Sequence, residues 1–210
     1  FVINPTYFGI TSDLKAICEE AHKRGIIVIV DEAHGAHLHF NDSMPLSAME
    51  AGADISSLSV HKTGGSLTQS SVILVKKDRV NFSRIQRVFA MFSSTSPNHL
   101  LLASLDVARK KLVFEGKELL DKELELAKYA RDKINNIRGY SCIDKSYCDR
   151  PGRFDFDLTK VVINVSEVGL SGFDVYKTIR KESNIQLELG EVSEVLAIIS
   201  LGTTKEHVDK

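Results

Sequence analysis

The sequence predicts an α/β fold: a mainly parallel sheet with flanking helices over residues 1–112, then a long helix and a small α+β domain over residues 113–210. Three observations carry this. Ile26-Ile-Val-Ile-Val30 is apolar throughout rather than alternating, as a parallel strand covered on both faces should be. It follows Leu14, Ile17, Cys18 and Ala21 at helical spacing, so helix and strand make one repeat of a wound sheet. Beyond residue 112 the pattern changes to charged helix and then to short strands around one helix.

In chain order, Phe1-Val-Ile3 reads as the end of a strand and Asn4 to Gly9 as a loop with turn chemistry. Thr11-Ser12-Asp13 offers N-caps to the first helix, which Lys23-Arg24-Gly25 closes. After the Ile26–Val30 strand, residues 41–49 pass from loop into a short helix stopped by Gly52. Ile55 to Val60 is the next strand, and Ser70 to Val75 returns antiparallel beside it. Val80 to Met91 is helical, and Ser93 to Pro97 is a loop leading to a helix with Leu101, Leu105, Ala108 and Leu112 on one face. Gly116 is expected to break that helix, with a second one running to about Ile137. The charged stretch from Glu115 to Lys133 reads as a solvated face with Glu–Lys pairs. Ser141–Cys148, Val161–Val165, Ile185–Leu189 and Val195–Leu201 are expected strands, with a helix over 172–181.

Composition narrows the class. A net charge of −1 gives no footprint for nucleic acid or an anionic membrane. Cys18, Cys142 and Cys148 form no CxxC pair, and no apolar 18-residue run or signal peptide is present, which points to a reducing cytoplasm. The chain opens on Phe1 inside a strand and stops at Lys210 as a helix begins, the expectation being a piece of a longer protein.

The chemistry gathers where strands end. Ile26–Val30 runs into Asp31-Glu-Ala-His-Gly35, and Ile55–Val60 runs into His61-Lys62 with Gly64-Gly65 behind. Ligands of open α/β sheets bind at such C-terminal strand ends. An amine and a carboxylate there suit pyridoxal 5'-phosphate, the lysine attaching the cofactor and the acid facing its pyridine nitrogen. A Lys amine is nucleophilic only when neutral, and burial beside a cationic cofactor lowers its pKa toward that state. Taken alone, Lys62 could equally be a solvated loop lysine and Asp31 a helix cap.

The stretch Ser57-Leu-Ser-Val-His-Lys62-Thr-Gly-Gly-Ser-Leu-Thr-Gln-Ser-Ser71 resembles the attachment signature of the bacterial ornithine/lysine/arginine decarboxylases, without a departure along its length. The resemblance implies a fold type I large domain and decarboxylation of a basic amino acid (arginine, lysine or ornithine). It implies Lys62, Asp31 and His34 as catalytic residues, His34 lying beside the cofactor and the substrate carboxylate. Ala33 would pack flat on the cofactor ring, and Ser59 and His61 would contact its phosphate. Ser94 and Thr95, with Ser96, would sit at a helix N-terminus and reach the phosphate of a partner subunit, which makes the protein at least a homodimer. Where relatives tend to carry a tyrosine after Ser-Pro-x, this chain has His99. The resemblance also implies that upstream sequence supplies the remaining phosphate loop and a stacking ring, so that the 210 residues alone would bind the cofactor weakly and be inactive.

Three rival readings compete with this one. Asp31-Glu-Ala-His34 also matches a helicase Walker B, but no Gly-x-x-x-x-Gly-Lys loop accompanies it. An aminotransferase or α-oxoamine synthase of the same fold would lack Thr68-Gln69-Ser70-Ser71. A non-catalytic relative would not need both Lys62 and Asp31. His34, His37 and His39 suggest metal, yet no second ligand group follows, and the expectation is no metal site.

Overall fold

A computed structural model describes all residues from Phe1 to Lys210, and the chain divides into two compact units. The first comprises residues 1–6 and 11–117, the second residues 7–10 and 118–210. No helix is long and apolar enough to cross a membrane.

The first unit is an α/β layer. Strand β1 (Val2–Ile3) is followed by β2 (Ile10–Thr11), at which the chain returns from its short excursion into the second unit. Helix α1 (Leu14–Lys23) is started by Asp13, whose side chain accepts from Ala16 N at 3.0 Å. Strands β3 (Ile29–Asp31) and β4 (Ile55–Leu58), the short helix α2 (Val60–Thr63) and β5 (Val72–Val75) follow. The sheet order is β1-β3-β4-β5, the first three parallel and β5 antiparallel to β4. Leu14 and Cys18 of α1 pack on Val28, Val30, Ala48, Ala51 and Ala53, the buried core under this sheet. Asp54 is fully buried at the entry to β4, where it accepts from Val28 N (2.8 Å), His22 Nε2 (2.9 Å) and Arg79 Nε (2.7 Å). Burial pushes this carboxyl up, but those three donors outweigh it and hold it below the usual range.

Four sequence expectations change here, the first being the short helix expected before Gly52, where residues 41–52 form only turns. The strand read as Ile26–Val30 pairs as strand only over Ile29–Asp31, and Ile26 and Ile27 are exposed. The strand read as Ile55–Val60 stops at Leu58, so Lys62 rides on the helical turn α2 rather than on a strand end. Gly116 breaks nothing. After α3 (Phe82–Phe92), helix α4 runs unbroken from His99 to Asn135, the unit boundary falling within it. A Cβ on Gly116 would lie 2.9 Å from Phe40 Cβ, so the glycine makes room for Phe40.

The second unit is α+β. Strands β6 (Ser141–Cys142), β7 (Asp155–Phe156) and β8 (Lys160–Asn164), helix α5 (Gly172–Ser183), strands β9 (Leu189–Gly190) and β10 (Glu194–Ile198) and helix α6 (Lys205–Asp209) follow in order. The antiparallel sheet β6-β8-β10-β9 packs Val161 and Ile199 against Ala127 and Ala130 of α4. The expected strands over 141–148 and 185–189 shorten to β6 and β9, because residues 145–148 turn into a 3-10 helix and β9 starts only at Leu189. Glu123, expected on a solvated face, is buried. Its neighbours along α4, Leu120 and Ala127, occupy the same buried stripe.

Candidate active site

Strand pairing sets the site. Asp31 stands in register between Ile3 and Ser57, and the ladder continues one residue further, Glu32 N donating to Ser57 O at 2.9 Å. Side chains of successive strand residues point to opposite faces. Glu32 accordingly goes into the buried layer, while Asp31 stays half-buried. The Asp31 carboxylate accepts only from Ala33 N, at 3.1 Å through Oδ1, leaving Oδ2 without a hydrogen-bond donor.

The loop after Glu32 turns at once, with Gly35 N donating to Glu32 O at 2.9 Å and Leu38 N to Gly35 O at 3.1 Å. That turn carries His34, which is buried, to Lys62: the Lys62 Nζ and His34 Nε2 atoms are 3.2 Å apart. With Lys62 as donor, Nε2 is the acceptor and a neutral His34 ring carries its proton on Nδ1. His39 leaves the group altogether, exposed and paired with Glu50 at 2.9 Å.

Lys62 is held through its own turn. Its N–H donates to Ser59 O at 3.0 Å, and Gly64 N donates to Val60 O at 2.8 Å. Val60 anchors the turn in a cluster with Ala36 and Ala108. The loop that follows is locked by hydroxyls. Ser70 Oγ donates to Leu67 O at 2.6 Å, so Ser66 Oγ, 2.5 Å away, must donate to Ser70 Oγ. Gln69 adopts φ +67°, a left-handed conformation uncommon for a side chain of its length, next to these serines.

His61 Nδ1 lies 2.8 Å from Ser70 O, which can only accept, so Nδ1 carries the proton. Its free Nε2 is then an acceptor in the neutral ring and a donor only in the imidazolium. Ser59 is half-buried with no hydrogen bond from its hydroxyl. The fold thus gathers Lys62 and His34 in direct contact, Asp31 with Ala33 in one turn, and Ser59 and His61 on the turn of Lys62. Ser94 and Thr95 are different: both are exposed, the Ser94 hydroxyl bonds only within its own loop to Ser96, and the cap of α4 is Asn98. No hydrogen bond or ion pair joins them to the Lys62 group.

Glu32 and Ser56 escaped the sequence reading. Glu32 Oε2 accepts from Ser56 Oγ at 2.6 Å and Oε1 from Ala48 N at 2.8 Å, both at the back of the site. Burial raises this carboxyl to about 7 against the pull of those two bonds.

The α/β sheet thus sets an amine, an imidazole and a half-free carboxylate on the turns that follow β3 and β4. The chain belongs to the family described as Orn/Lys/Arg decarboxylase, major domain, whose model matches residues 1–207. It is 47% identical over 209 residues to the arginine decarboxylase of Bacillus subtilis, and 46% identical over 208 residues to that of Bacillus cereus. It covers nearly all of itself in these matches but only 43% and 45% of those proteins, so it spans under half the length of these relatives. Among solved structures it is similar to the Francisella novicida lysine decarboxylase, with a TM-score of 0.77 at 22% identity, covering 99% of this chain and 34% of that one. The constitutive lysine decarboxylase of E. coli gives 0.77 at 21%, covering 99% and 35%. The fold is therefore the type I fold of these decarboxylases.

Proposed function

We propose that this chain carries the attachment lysine and the ring-facing acid of a pyridoxal-phosphate-dependent decarboxylase of basic amino acids. Its family and structural neighbours are pyridoxal-phosphate-dependent enzymes. The observation that carries the reading is the 3.2 Å approach of Lys62 Nζ to His34 Nε2, three residues along the chain from Asp31. The donor set fits the group. Lys62 is exposed with one partner, Asp31 Oδ2 awaits a donor, and the Ser59 hydroxyl is uncommitted.

When bound, pyridoxal phosphate supplies an electron sink for the pair left as carbon dioxide departs. The residues do the rest. Asp31 Oδ2 holds a proton on the pyridine nitrogen, because a nearby negative charge raises the pKa of a cation. Ala33 is small enough to lie flat against the ring. Ser59 Oγ would donate to the phosphate, and His61 would reach it through Nε2. Lys62 would pass its proton to His34 Nε2 when the free amine is needed, and Lys62 or a neighbouring His would return a proton at the substrate carbon.

Arginine is the favoured substrate, since the curated relatives at 46–47% identity are named arginine decarboxylases. We also read the protein as an assembly of at least two copies: exposed Ser94 and Thr95 bond nothing outside their loop, leaving them available to the phosphate of a second subunit. The test is carbon dioxide release from carboxyl-labelled arginine, lysine and ornithine by the full-length protein, with identification of the product. Amine with stoichiometric carbon dioxide supports the reading. An oxo acid without carbon dioxide would replace it with a transamination.

A further inference from the structure

Asp31 and Glu32 are adjacent acids that the strand sends to opposite faces, and only the first has been given a task. Glu32 is fully buried. Its two oxygens take one donor from each of two segments distant in sequence, Ser56 Oγ on β4 and Ala48 N in the turn beneath the sheet. The loop closes on it from a third side. A Cβ on Gly35 would lie 2.5 Å from Glu32 Cγ and 3.1 Å from Oε1, so the turn is tightened onto the carboxyl to a distance only glycine permits. The ionisable groups facing it are His37 in the following loop and Glu50 in the turn, which act in opposite directions.

A buried charge is a weak source of stability, and an apolar side chain would fill the same space at less desolvation cost. What the carboxyl provides instead is direction, because two bonds from fixed donors leave one placement for the backbone that bears them. That backbone continues within two residues to His34.

We infer that Glu32 is a positioning residue: its carboxyl pins the Asp31–Gly35 turn to Ser56 and Ala48, so that His34 meets Lys62. The inference rests on the reading of Lys62, Asp31 and His34 as the cofactor site. Glu32 itself touches neither cofactor nor substrate.

The test uses the full-length protein without cofactor, as wild type, Glu32→Gln and Glu32→Ala, with His34→Gln to assign the ring. The readouts are the His34 imidazole resonances and the Gly35 amide exchange rate. In the wild type the His34 resonances should show an added inflection as Glu32 titrates, at about neutral pH. Glu32→Gln, which keeps the shape and an acceptor for Ala48 N, should abolish that inflection and leave Gly35 exchange near wild type. Glu32→Ala should raise Gly35 exchange on the order of tenfold or more. Unchanged His34 titration in Glu32→Gln would overturn the inference, and that variant decides the matter if the alanine variant does not fold. Borohydride reduction with pyridoxal phosphate is run alongside. Failure to label Lys62 in the wild type would sink the cofactor reading, whereas the cofactor-free resonances judge Glu32 independently.

Discussion

Lys62 Nζ lies 3.2 Å from His34 Nε2, a contact bridging 28 residues of sequence. The contact therefore sets an acceptor nitrogen against the amine of the proposed attachment lysine.

Replacing His34 with glutamine should lower kcat by about 10² to 10⁴, the span of a general acid–base group, while Lys62 still takes up the cofactor. Steady-state kinetics and reductive labelling on the same preparation check this. Loss of labelling together with rate would make His34 a structural residue instead.

Asp31→Asn keeps the bond from Ala33 N but removes the charge. The ring nitrogen should lose about 1–3 units of pKa and the rate should fall in step, about tenfold per unit. The absorbance of the bound cofactor against pH reads the first quantity, and kcat reads the second.

Gly64→Ala should disturb the turn that carries Lys62. The added Cβ would lie 2.7 Å from Val60 Cγ1 and 3.0 Å from Val60 O, and Val60 cannot retreat because it is part of the buried cluster with Ala36 and Ala108. Overpacking of this kind costs about 1–3 kcal/mol. Thermal melting should show a drop of about 2–4 °C per kcal/mol, with reduced labelling at Lys62.

The fold class was legible because its signals are local. The repeat of Leu14, Ile17, Cys18 and Ala21 and the caps around it fix a helix without help from elsewhere. Element ends were not. Four residues of α2 are too few to show a period, so the helical turn under Lys62 read as strand. Gly116 sent a helix-breaking signal of about 1 kcal/mol, which continuation of α4 and its fit to Phe40 overrode. In the site, the motif named Lys62 and the resemblance implied His34, but their meeting depends on strand register, which sequence spacing does not encode. Glu32 was hidden for the same reason, its donors lying 16 and 24 residues away. Glu123 could have been found: Leu120, Glu123, Ala127 and Ala130 keep the spacing of one helical face.

Glu123 gives a pH-dependent stability. Burial, with Asp157 nearby, raises its carboxyl from 4.5 to about 8, and Oε1 has no hydrogen-bond partner. The folded state therefore binds a proton that the unfolded chain has released. This contribution is complete below about 4.5 and fades as pH rises through about 8. Glu123→Gln should remove the slope, so that its melting temperature gains several °C on the wild type, to order of magnitude, between acid and mildly alkaline pH. Parallel melting curves across that range would refute the assignment.

The most direct measurement is reductive labelling. The full-length protein is incubated with pyridoxal phosphate, reduced with borohydride and mapped by mass spectrometry beside Lys62→Ala. The account predicts a single adduct, on Lys62, absent from the variant. Adducts spread over surface lysines, with Lys62 spared, would contradict it.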